Sequence, residues 1–350
     1  MQSSASTQAE WPAGGLESVP VCPLCGAKER KLAYAGLKDY FFECAPGLWS
    51  LFECESCGSA YLDPRPNQET ISLAYSRYYT HRVYDVASGE VRRLWRALRD
   101  DYLQAQFGVH SDSTLWPGRW LLRFFPVVRS GIDAALARNL ERLPHPRARL
   151  LDVGCGNGNY LEFARRAGWQ VRGVDFDPQA VAAAKGRGLD VQEGTIKVLA
   201  EESECYDRIT LSHILEHVYN PWEVLADCHR LLKPGGVLWL ETPNANSSGL
   251  GVFGPYWRGL EPPRHLHLFS RKCIQDKMSE IGFSDIRNCF SSFATDAMWR
   301  ESRSIVAKAS GSKSFRHTWL GKMQSEISAL LSPDSREFIT LVCVKQNDKK

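Results

Sequence analysis

The chain has 350 residues, 43% of them hydrophobic, which is enough for a packed core and for two domains. A formal charge of +3 is close to neutral for this length and argues against an extended nucleic-acid surface. The segment Met1 to Gly15 lacks a basic start followed by an apolar run, and no apolar stretch approaches the length of a transmembrane helix. We therefore expect a cytoplasmic protein with neither a secretory signal nor a membrane span.

Four regions follow one another along the chain. Residues 1–19 are polar and rich in Ser, Ala and Gly, which predicts a disordered tail. Residues 20–66 contain paired cysteines and end in Asp-Pro-Arg-Pro, a stiff linker. Residues 67–147 are rich in Tyr, Arg and Trp and are predicted to be mainly helical. Residues 148–350 alternate short apolar runs with amphipathic ones, which is typical of a doubly wound parallel sheet.

The paired cysteines are Cys22 with Cys25, and Cys54 with Cys57, each pair in a Cys-x-x-Cys-Gly sequence. Each pair presents two thiolates to one ion, and the glycine permits the tight turn beneath them, so we predict a zinc ribbon with one structural zinc. Redox pairs are the competing interpretation, although no thioredoxin-like setting accompanies them. Charges between the two pairs are slightly acidic, which disfavours RNA as a partner. The scattered cysteines are predicted to be small buried hydrophobes.

The last region predicts a Rossmann-like α/β fold, with a seven-stranded, mostly parallel sheet and helices on both faces. Asp177 with Pro178, Asn220 with Pro221, and Ser270 mark helix starts. The predicted strands are 149–153, 170–174, 190–192, 208–211, 237–240, 286–290 and 338–344.

A glycine-rich loop follows the first of these strands, in the sequence Asp152-Val-Gly-Cys-Gly-Asn-Gly158. Its glycines allow a ligand to approach the backbone, and the next helix supplies unpaired amide hydrogens. Asp175 ends the next strand, where a carboxylate can accept both hydroxyls of a ribose. Asp152 could orient the loop or meet an ammonium group. Position 159 is Asn, so the dinucleotide spacing Gly-x-Gly-x-x-Gly fails.

Residues 149–290 resemble class I S-adenosylmethionine-dependent methyltransferases. The matching segments are 151–158, 173–175, 212–218 and 230–236. The resemblance implies that the loop contacts the methionine part of S-adenosylmethionine and Asp175 the ribose, that Thr195 and Ile196 flank the adenine, and that Ser212 and His213 lie beneath the sulfonium. The implied cofactor residues are Asp152, Gly154, Cys155, Gly156, Gly158, Asp175, Phe176, Thr195, Ile196, Ser212 and His213.

Methyl transfer to a hydroxyl needs in-line positioning and a base, a task for which histidine is suited near neutral pH. Glu216 and His217 follow the fourth strand and His265 and His267 follow the fifth, at the sheet edge where ligands bind. All four are candidate catalytic residues. Glu216 and His217 are alternatively a structural hydrogen-bonded pair. In ubiquinone-biosynthesis O-methyltransferases a similar Glu-x-x-Glu-His segment can bind a divalent ion, but His213 replaces the first Glu here.

These features predict methyl transfer to a small acceptor, with a hydroxyl of a sugar, a nucleotide sugar or a related metabolite preferred. Methylation of RNA or protein, and a non-catalytic scaffold that binds the cofactor, are the alternatives. The middle segment has three interpretations: a cap that packs its rings on the catalytic domain, a lid whose arginines meet an anionic group, or a shallow membrane contact through 116–125. The oligomeric state is not predicted.

Overall fold

The computed structural model describes residues 10–76, 90–111, 113–290, 293–310 and 319–346. The strands in these ranges are β1 (Leu16–Glu17), β2 (Arg30–Leu37), β3 (Trp49–Cys54), β4 (Ala60–Leu62), β5 (Arg65–Pro66), β6 (Arg149–Val153), β7 (Gln170–Asp175), β8 (Val191–Glu193), β9 (Tyr206–Ser212), β10 (Leu232–Pro243), β11 (His267–Leu268), β12 (Phe283–Asn288) and β13 (Phe338–Lys345). The α-helices are α1 (Glu90–Phe107), α2 (Gly118–Leu121), α3 (Pro126–Ala135), α4 (Asn159–Arg166), α5 (Pro178–Gly186), α6 (Pro221–Leu231), α7 (Ser248–Phe253), α8 (Arg271–Ile281), α9 (Phe293–Ser310) and α10 (Trp319–Leu331).

The main sheet has seven strands in the order β12-β13-β10-β9-β6-β7-β8. Strands β10, β9, β6, β7 and β8 run parallel, and β13 lies antiparallel between β10 and β12. The predicted fold class is therefore confirmed. The chain leaves β6 in one direction towards β8 and in the other towards β10, so the strand order reverses at β6 and β9. Ligands of such sheets bind outside the carboxyl ends of the strands at this reversal.

Local sequence explains where the flanking helices begin and end. The Asp177 side chain accepts the amide hydrogen of Gln179 at 2.8 Å, with Pro178 in the first turn of α5 where its missing amide hydrogen is not needed. Ser270 caps α8 in the same way, and Gly282 ends it with φ of 112°. The elements predicted from alternating apolar runs consequently start and stop near the predicted residues.

A second sheet has four strands in the order β11-β4-β3-β2; Cys54 ends β3, and the other paired cysteines lie in turns next to the sheet. Its edge strand β11 comes from the α/β region, where His267 pairs with Tyr61 and Leu268 with Ala60. The cysteine region is thus joined to the α/β region by a shared sheet, and the small sheet extends beyond the predicted boundary at residue 66.

The predicted disordered tail is wrong for residues 10–19. Trp11 packs edge-on against Trp49 with 5.2 Å between ring centroids, and β1 pairs with β5. The ring contact and the strand pairing hold this segment in place. Neither could be predicted from the local sequence pattern. Residues 1–9 of the predicted tail lie outside the described residues.

The middle segment is largely helical, as α1, α2 and α3 show, although residues 77–89 lie outside the described part of the chain. Its rings at 116, 120, 124 and 125 are exposed, so the cap interpretation fails for them. None of the described helices is both long and apolar enough to cross a bilayer.

Candidate functional site

The glycine loop and the end of β7 form one side of the site. The Asp175 carboxylate accepts the amide hydrogens of Gly156 at 2.7 Å and Asp177 at 2.9 Å, which fixes the loop against the neighbouring strand. Gly156 has φ of 55°, and a Cβ at this position would meet no atom within 4 Å, so the middle of the loop faces open space. Gly158 has φ of 80°, and a Cβ there would lie 2.4 Å from the Leu189 side chain and 3.2 Å from the Ala184 Cβ, so this position strongly favours glycine.

Asp152 is fully buried behind the loop. One of its oxygens pairs with Arg138 and accepts the hydroxyl of Thr210 at 2.6 Å. Arg138 in turn lies 4.1 Å from the ring centroid of Tyr160. These contacts favour loop orientation, one of the two roles considered for Asp152. Cys155 is also buried, and burial raises the pKa of its thiol, which agrees with a packing role.

The other predicted cofactor residues surround this loop. Phe176 directly follows Asp175 and exposes 56% of its surface, so its ring can contact a ligand. Thr195 caps the short turn Ile196–Leu199 by accepting the amide hydrogen of Lys197 at 3.4 Å, whereas the Ile196 side chain is buried. Ser212 ends β9 beside the loop's own strand, β6.

His213 lies between two carboxylates at the ends of neighbouring strands. Its Nδ1 is 3.1 Å from Glu216 and its Nε2 is 3.5 Å from Glu241. Burial would lower the pKa of His213, but the hydrogen bonds to the two carboxylates outweigh it and raise the pKa to about 10. The raised pKa favours the protonated imidazole at neutral pH, with Nδ1 donating to Glu216 and Nε2 facing the Glu241 carboxylate. His213 also adopts φ of 56°, a strained conformation of the kind that clusters at functional sites.

Glu216 is fully buried beneath His213. Its second oxygen accepts the hydroxyl of Thr242 at 2.9 Å. Burial would raise the pKa of Glu216, but the hydrogen bond from His213 lowers it to about 2. Ligand atoms of Glu216, His217 and His265 lie within 4.8 Å of one another, a spacing that an ion could bridge. Glu216 also joins this cluster to His213 and Thr242 in a hydrogen-bonded network, with one bond at each carboxylate oxygen.

His217 is held by a backbone carbonyl. Its Nδ1 lies 3.1 Å from the carbonyl oxygen of Arg264 and 3.0 Å from the hydroxyl of Tyr75. A carbonyl can only accept, so Nδ1 carries the proton and Nε2 keeps its lone pair. Burial lowers the pKa of His217 below its ordinary value of 6.5, which keeps the ring neutral near pH 7.

The structure brings His265 to this cluster but not His267. The rings of His217 and His265 are 4.7 Å apart, and His265 donates through Nδ1 to the carbonyl of Gly259 at 2.7 Å. Burial lowers its pKa to about 4. His267 is fully buried in the small sheet, donates through Nε2 to the carbonyl of Val218 at 3.1 Å, and has its pKa lowered to about 3 by burial.

Two features of the site have no sequence signal. Tyr75, at the end of the short turn Ile71–Tyr75, contacts both His217 and Phe176, with 5.7 Å between its ring and that of Phe176. Arg264 is fully buried and pairs with Asp39 at 2.6 Å, which ties the loop before β11 to the turn between β2 and β3. In each case the contacting residues are far apart in the sequence, so no local sequence pattern predicts the contact.

The four paired cysteines converge, with all four sulfurs within 4.8 Å of one another. The sulfurs of Cys22 and Cys57 are 3.8 Å apart and those of Cys25 and Cys54 are 3.5 Å apart. A disulfide would need about 2.05 Å, whereas thiolates bound tetrahedrally at about 2.3 Å from one zinc lie about 3.8 Å apart. The donor set therefore fits a structural zinc.

Residues 128–288 match the family described as a methyltransferase domain. This part of the chain is a methyltransferase domain. The predicted resemblance to S-adenosylmethionine-dependent methyltransferases is thereby confirmed, and the loop at Gly154 to Gly158 and the cluster around Glu216 both lie inside the matched region.

The methyltransferase domain is similar to curated O-methyltransferases. A ubiquinone biosynthesis O-methyltransferase of Cereibacter sphaeroides is 33% identical over 159 residues, which cover 43% of this chain and 64% of that protein. One of Xanthomonas oryzae pv. oryzae is 38% identical over 135 residues, or 36% of this chain and 56% of that protein. The chain thus spans less than two thirds of each relative's length. The fold is also similar to that in a crystal structure of a SAM-dependent methyltransferase from Archaeoglobus fulgidus. The superposition includes 65% of this chain and 99% of that protein, with 20% sequence identity and a TM-score of 0.43.

Proposed function

We propose that the protein transfers a methyl group from S-adenosylmethionine to a hydroxyl of a small acceptor. The observation that carries this proposal is the convergence of two groups of residues at one sheet edge. Asp175 and the glycine loop follow β7 and β6, and the network of His213, Glu216 and Thr242 follows β9 and β10. Tyr75 bridges the two groups by touching Phe176 on one side and His217 on the other.

Three features of the cofactor side and its net charge support S-adenosylmethionine as the ligand. Gly156 faces open space, the Asp175 carboxylate ends its strand beside the loop, and Phe176 offers an exposed ring. S-adenosylmethionine supplies a methyl group on a sulfonium, which is a good leaving group. The protonated His213 between Glu216 and Glu241 leaves one carboxylate in excess, and a site of negative charge suits a cationic cofactor.

His217 acts as the base in this proposal. Its Nδ1–H donates to the Arg264 carbonyl, so Nε2 can accept the proton of the acceptor hydroxyl. His217 is half-buried, whereas His265 exposes only 5% and His267 none of its surface. His265 then serves as a positioning residue, and His267 as part of the small sheet.

The acceptor in this proposal is a sugar or a related small metabolite with a hydroxyl group. Exposed or half-buried rings flank the histidine cluster, and aromatic faces pack against flat or apolar faces of small ligands. These rings are Tyr75, Phe176 and Phe338. The similar ubiquinone biosynthesis proteins are named O-methyltransferases, which supports oxygen as the methylated atom.

Cys22, Cys25, Cys54 and Cys57 hold a structural zinc in this proposal, and zinc supplies the cross-link between the two cysteine turns. The amide of Gly26 donates to the carbonyl of Cys22 at 2.8 Å, and that of Gly58 to Cys54 at 3.0 Å, so the two turns share one geometry.

An acceptor screen with methyl-labelled S-adenosylmethionine tests this function. Nucleotide sugars, simple phenols, transfer RNA and a protein extract serve as acceptors, and label in a small-molecule fraction is the expected result. Label found only in RNA or protein would overturn the small-acceptor proposal, and label in none of them would favour the scaffold alternative.

The pH profile of the transfer rate reports on the base. The rate requires neutral His217, and burial lowers the pKa of this residue from 6.5. The rate should therefore rise with pH through an inflection below 6.5 and stay level above it. An inflection above this value would contradict the assignment, because it would report a group whose protonated form the protein stabilises.

A further inference from the structure

The segment Leu115–Phe125 holds large apolar side chains out in solvent. Trp116 exposes 72% of its surface and Phe124 77%, while Trp120 and Phe125 each expose more than half. Single apolar side chains on a surface are ordinary. Several exposed aromatic rings within ten positions form an apolar patch of the kind that marks an interaction surface.

We call the exposed rings of Leu115–Phe125 the aromatic platform. Neighbouring residues of the same segment pack against the rest of the fold and hold it in place. Gly118 packs so closely on α1 that a Cβ would lie 2.0 Å from the carbonyl oxygen of Leu98. Leu122 is 1% exposed in the core, and Arg119 pairs with the buried Asp101 at 2.7 Å. The fixed residues alternate with the exposed rings, so the fold itself directs those rings outward.

The first turns of α1 extend the platform. The amide of Leu115 donates to the carbonyl of Ala97 at 3.0 Å, which places the start of the aromatic platform beside this part of the helix. Within two helical turns of this contact, Val91 exposes 80%, Leu94 52% and Trp95 41% of their surfaces. Two adjoining elements therefore both expose apolar side chains.

Positive charges predominate around the aromatic platform, although Glu90 begins α1 and Asp101 pairs with Arg119. No acidic residue occurs at positions 91–99 or 113–132, whereas both stretches contain several arginines. Arg93 and Arg123 are exposed among the apolar side chains. If two copies of the chain met symmetrically through this surface, each patch would face its own positive charges, which would oppose the contact.

We propose that the aromatic platform and the first turns of α1 dock on the surface of an anionic phospholipid bilayer. Trp116, Trp120 and Phe124 insert at the level of the headgroups, where amphipathic and aromatic rings are favoured, and Arg93 and Arg123 contact lipid phosphates. This docking is independent of the proposed methyl transfer, because it needs neither cofactor nor acceptor.

Vesicle co-sedimentation of the full chain tests the proposal. The protein should bind vesicles of phosphatidylcholine mixed with phosphatidylglycerol, bind pure phosphatidylcholine far more weakly, and detach as salt rises. The double substitution Trp116→Ser with Phe124→Ser, and separately Arg123→Glu, should each weaken binding by about tenfold or more.

Matched controls come from exposed positions elsewhere. Leu331 exposes 82% of its surface on α10, and the Lys272 side chain exposes 82% on α8. Leu331→Ser and Lys272→Glu should leave vesicle binding unchanged, and thermal unfolding should show that all variants remain folded. Absence of binding to anionic vesicles, or equal binding by platform and control variants, would overturn the proposal. A dimer in light scattering that the platform substitutions dissociate would assign the surface to a second copy instead.

Discussion

Replacing Cys54 by serine should remove the zinc and destabilise the catalytic region together with the small sheet. Cys54 is fully buried, and its sulfur is one of the four that converge. Structural zinc contributes many kcal/mol to folding, so loss of one ligand should lower the melting temperature by about 10 °C or more.

The effect should reach the active site because the small sheet holds the histidine loop. The Ser270 hydroxyl donates to the carbonyl of Cys57 at 2.6 Å, and the amide of Leu62 donates to the carbonyl of Leu266 at 3.1 Å. The amide of Leu266 in turn donates to the carbonyl of Glu216 at 2.7 Å. Loss of zinc should therefore reduce methyl transfer more than binding of S-adenosylmethionine, because the glycine loop and Asp175 follow β6 and β7 rather than strands of the small sheet.

Zinc content by mass spectrometry and thermal unfolding measure this result, with Cys205→Ser as the control. The Cys205 sulfur is half-buried and donates to the carbonyl of Ser203 at 3.1 Å, a bond that a serine hydroxyl can replace. A purified wild-type protein without zinc, or a Cys54→Ser variant with unchanged zinc and melting temperature, would contradict the metal assignment.

Replacing His217 by asparagine should lower kcat by about a hundredfold or more, the usual contribution of a general base. Asparagine keeps a donor for the Arg264 carbonyl but has no nitrogen that accepts a proton near neutral pH. KM should change little, because the ring is assigned to proton transfer. The acid limb of the pH profile should disappear in the same variant.

Steady-state kinetics with His110→Asn and His265→Asn distinguish the possible roles. His110 is an exposed histidine in the loop after α1 and should behave as the wild type when replaced. His265→Asn should have a smaller effect than His217→Asn and keep the acid limb. A large loss of kcat in His265→Asn with a normal rate in His217→Asn would transfer the base to His265.

Much of the fold could be predicted because the signals are local. Apolar runs such as 149–153 and 170–174 are short, and glycine, proline or capping residues bound them, so strands and helices fall close to the predicted positions. The double glycine at 235–236 would locally be taken as the end of α6, but the helix ends at Leu231 and the glycines lie in an irregular part of β10. Helix and strand endings of this kind depend on pairing partners, which local sequence does not define.

The site could be predicted only as far as the carboxyl edge of the sheet. Parallel strands deliver their following loops to one edge, so the positions of Asp175 and Glu216 follow from the strand assignments. The strand assignments do not tell which of His265 and His267 faces the cluster. That choice depends on the turn at Glu261, with φ of 35°, and on the pairing of His267 with Tyr61 in the small sheet. Arg138 was missed for the same reason, since its pairing with Asp152 forms only in the folded chain.

Calorimetric titration with S-adenosylmethionine tests the central claim most directly. The zinc-loaded wild type should bind saturably, and Asp175→Ala should weaken binding by about tenfold or more, because the carboxylate that we propose accepts the ligand hydroxyls is lost. Asp175→Asn, which retains an acceptor for the Gly156 amide, separates ligand contact from loop support. Asp276→Ala on the exposed face of α8 is the control. Saturable binding that Asp175→Ala weakens and Asp276→Ala leaves unchanged is the result we predict, whereas no binding by the folded protein, with or without candidate acceptors, would contradict the claim.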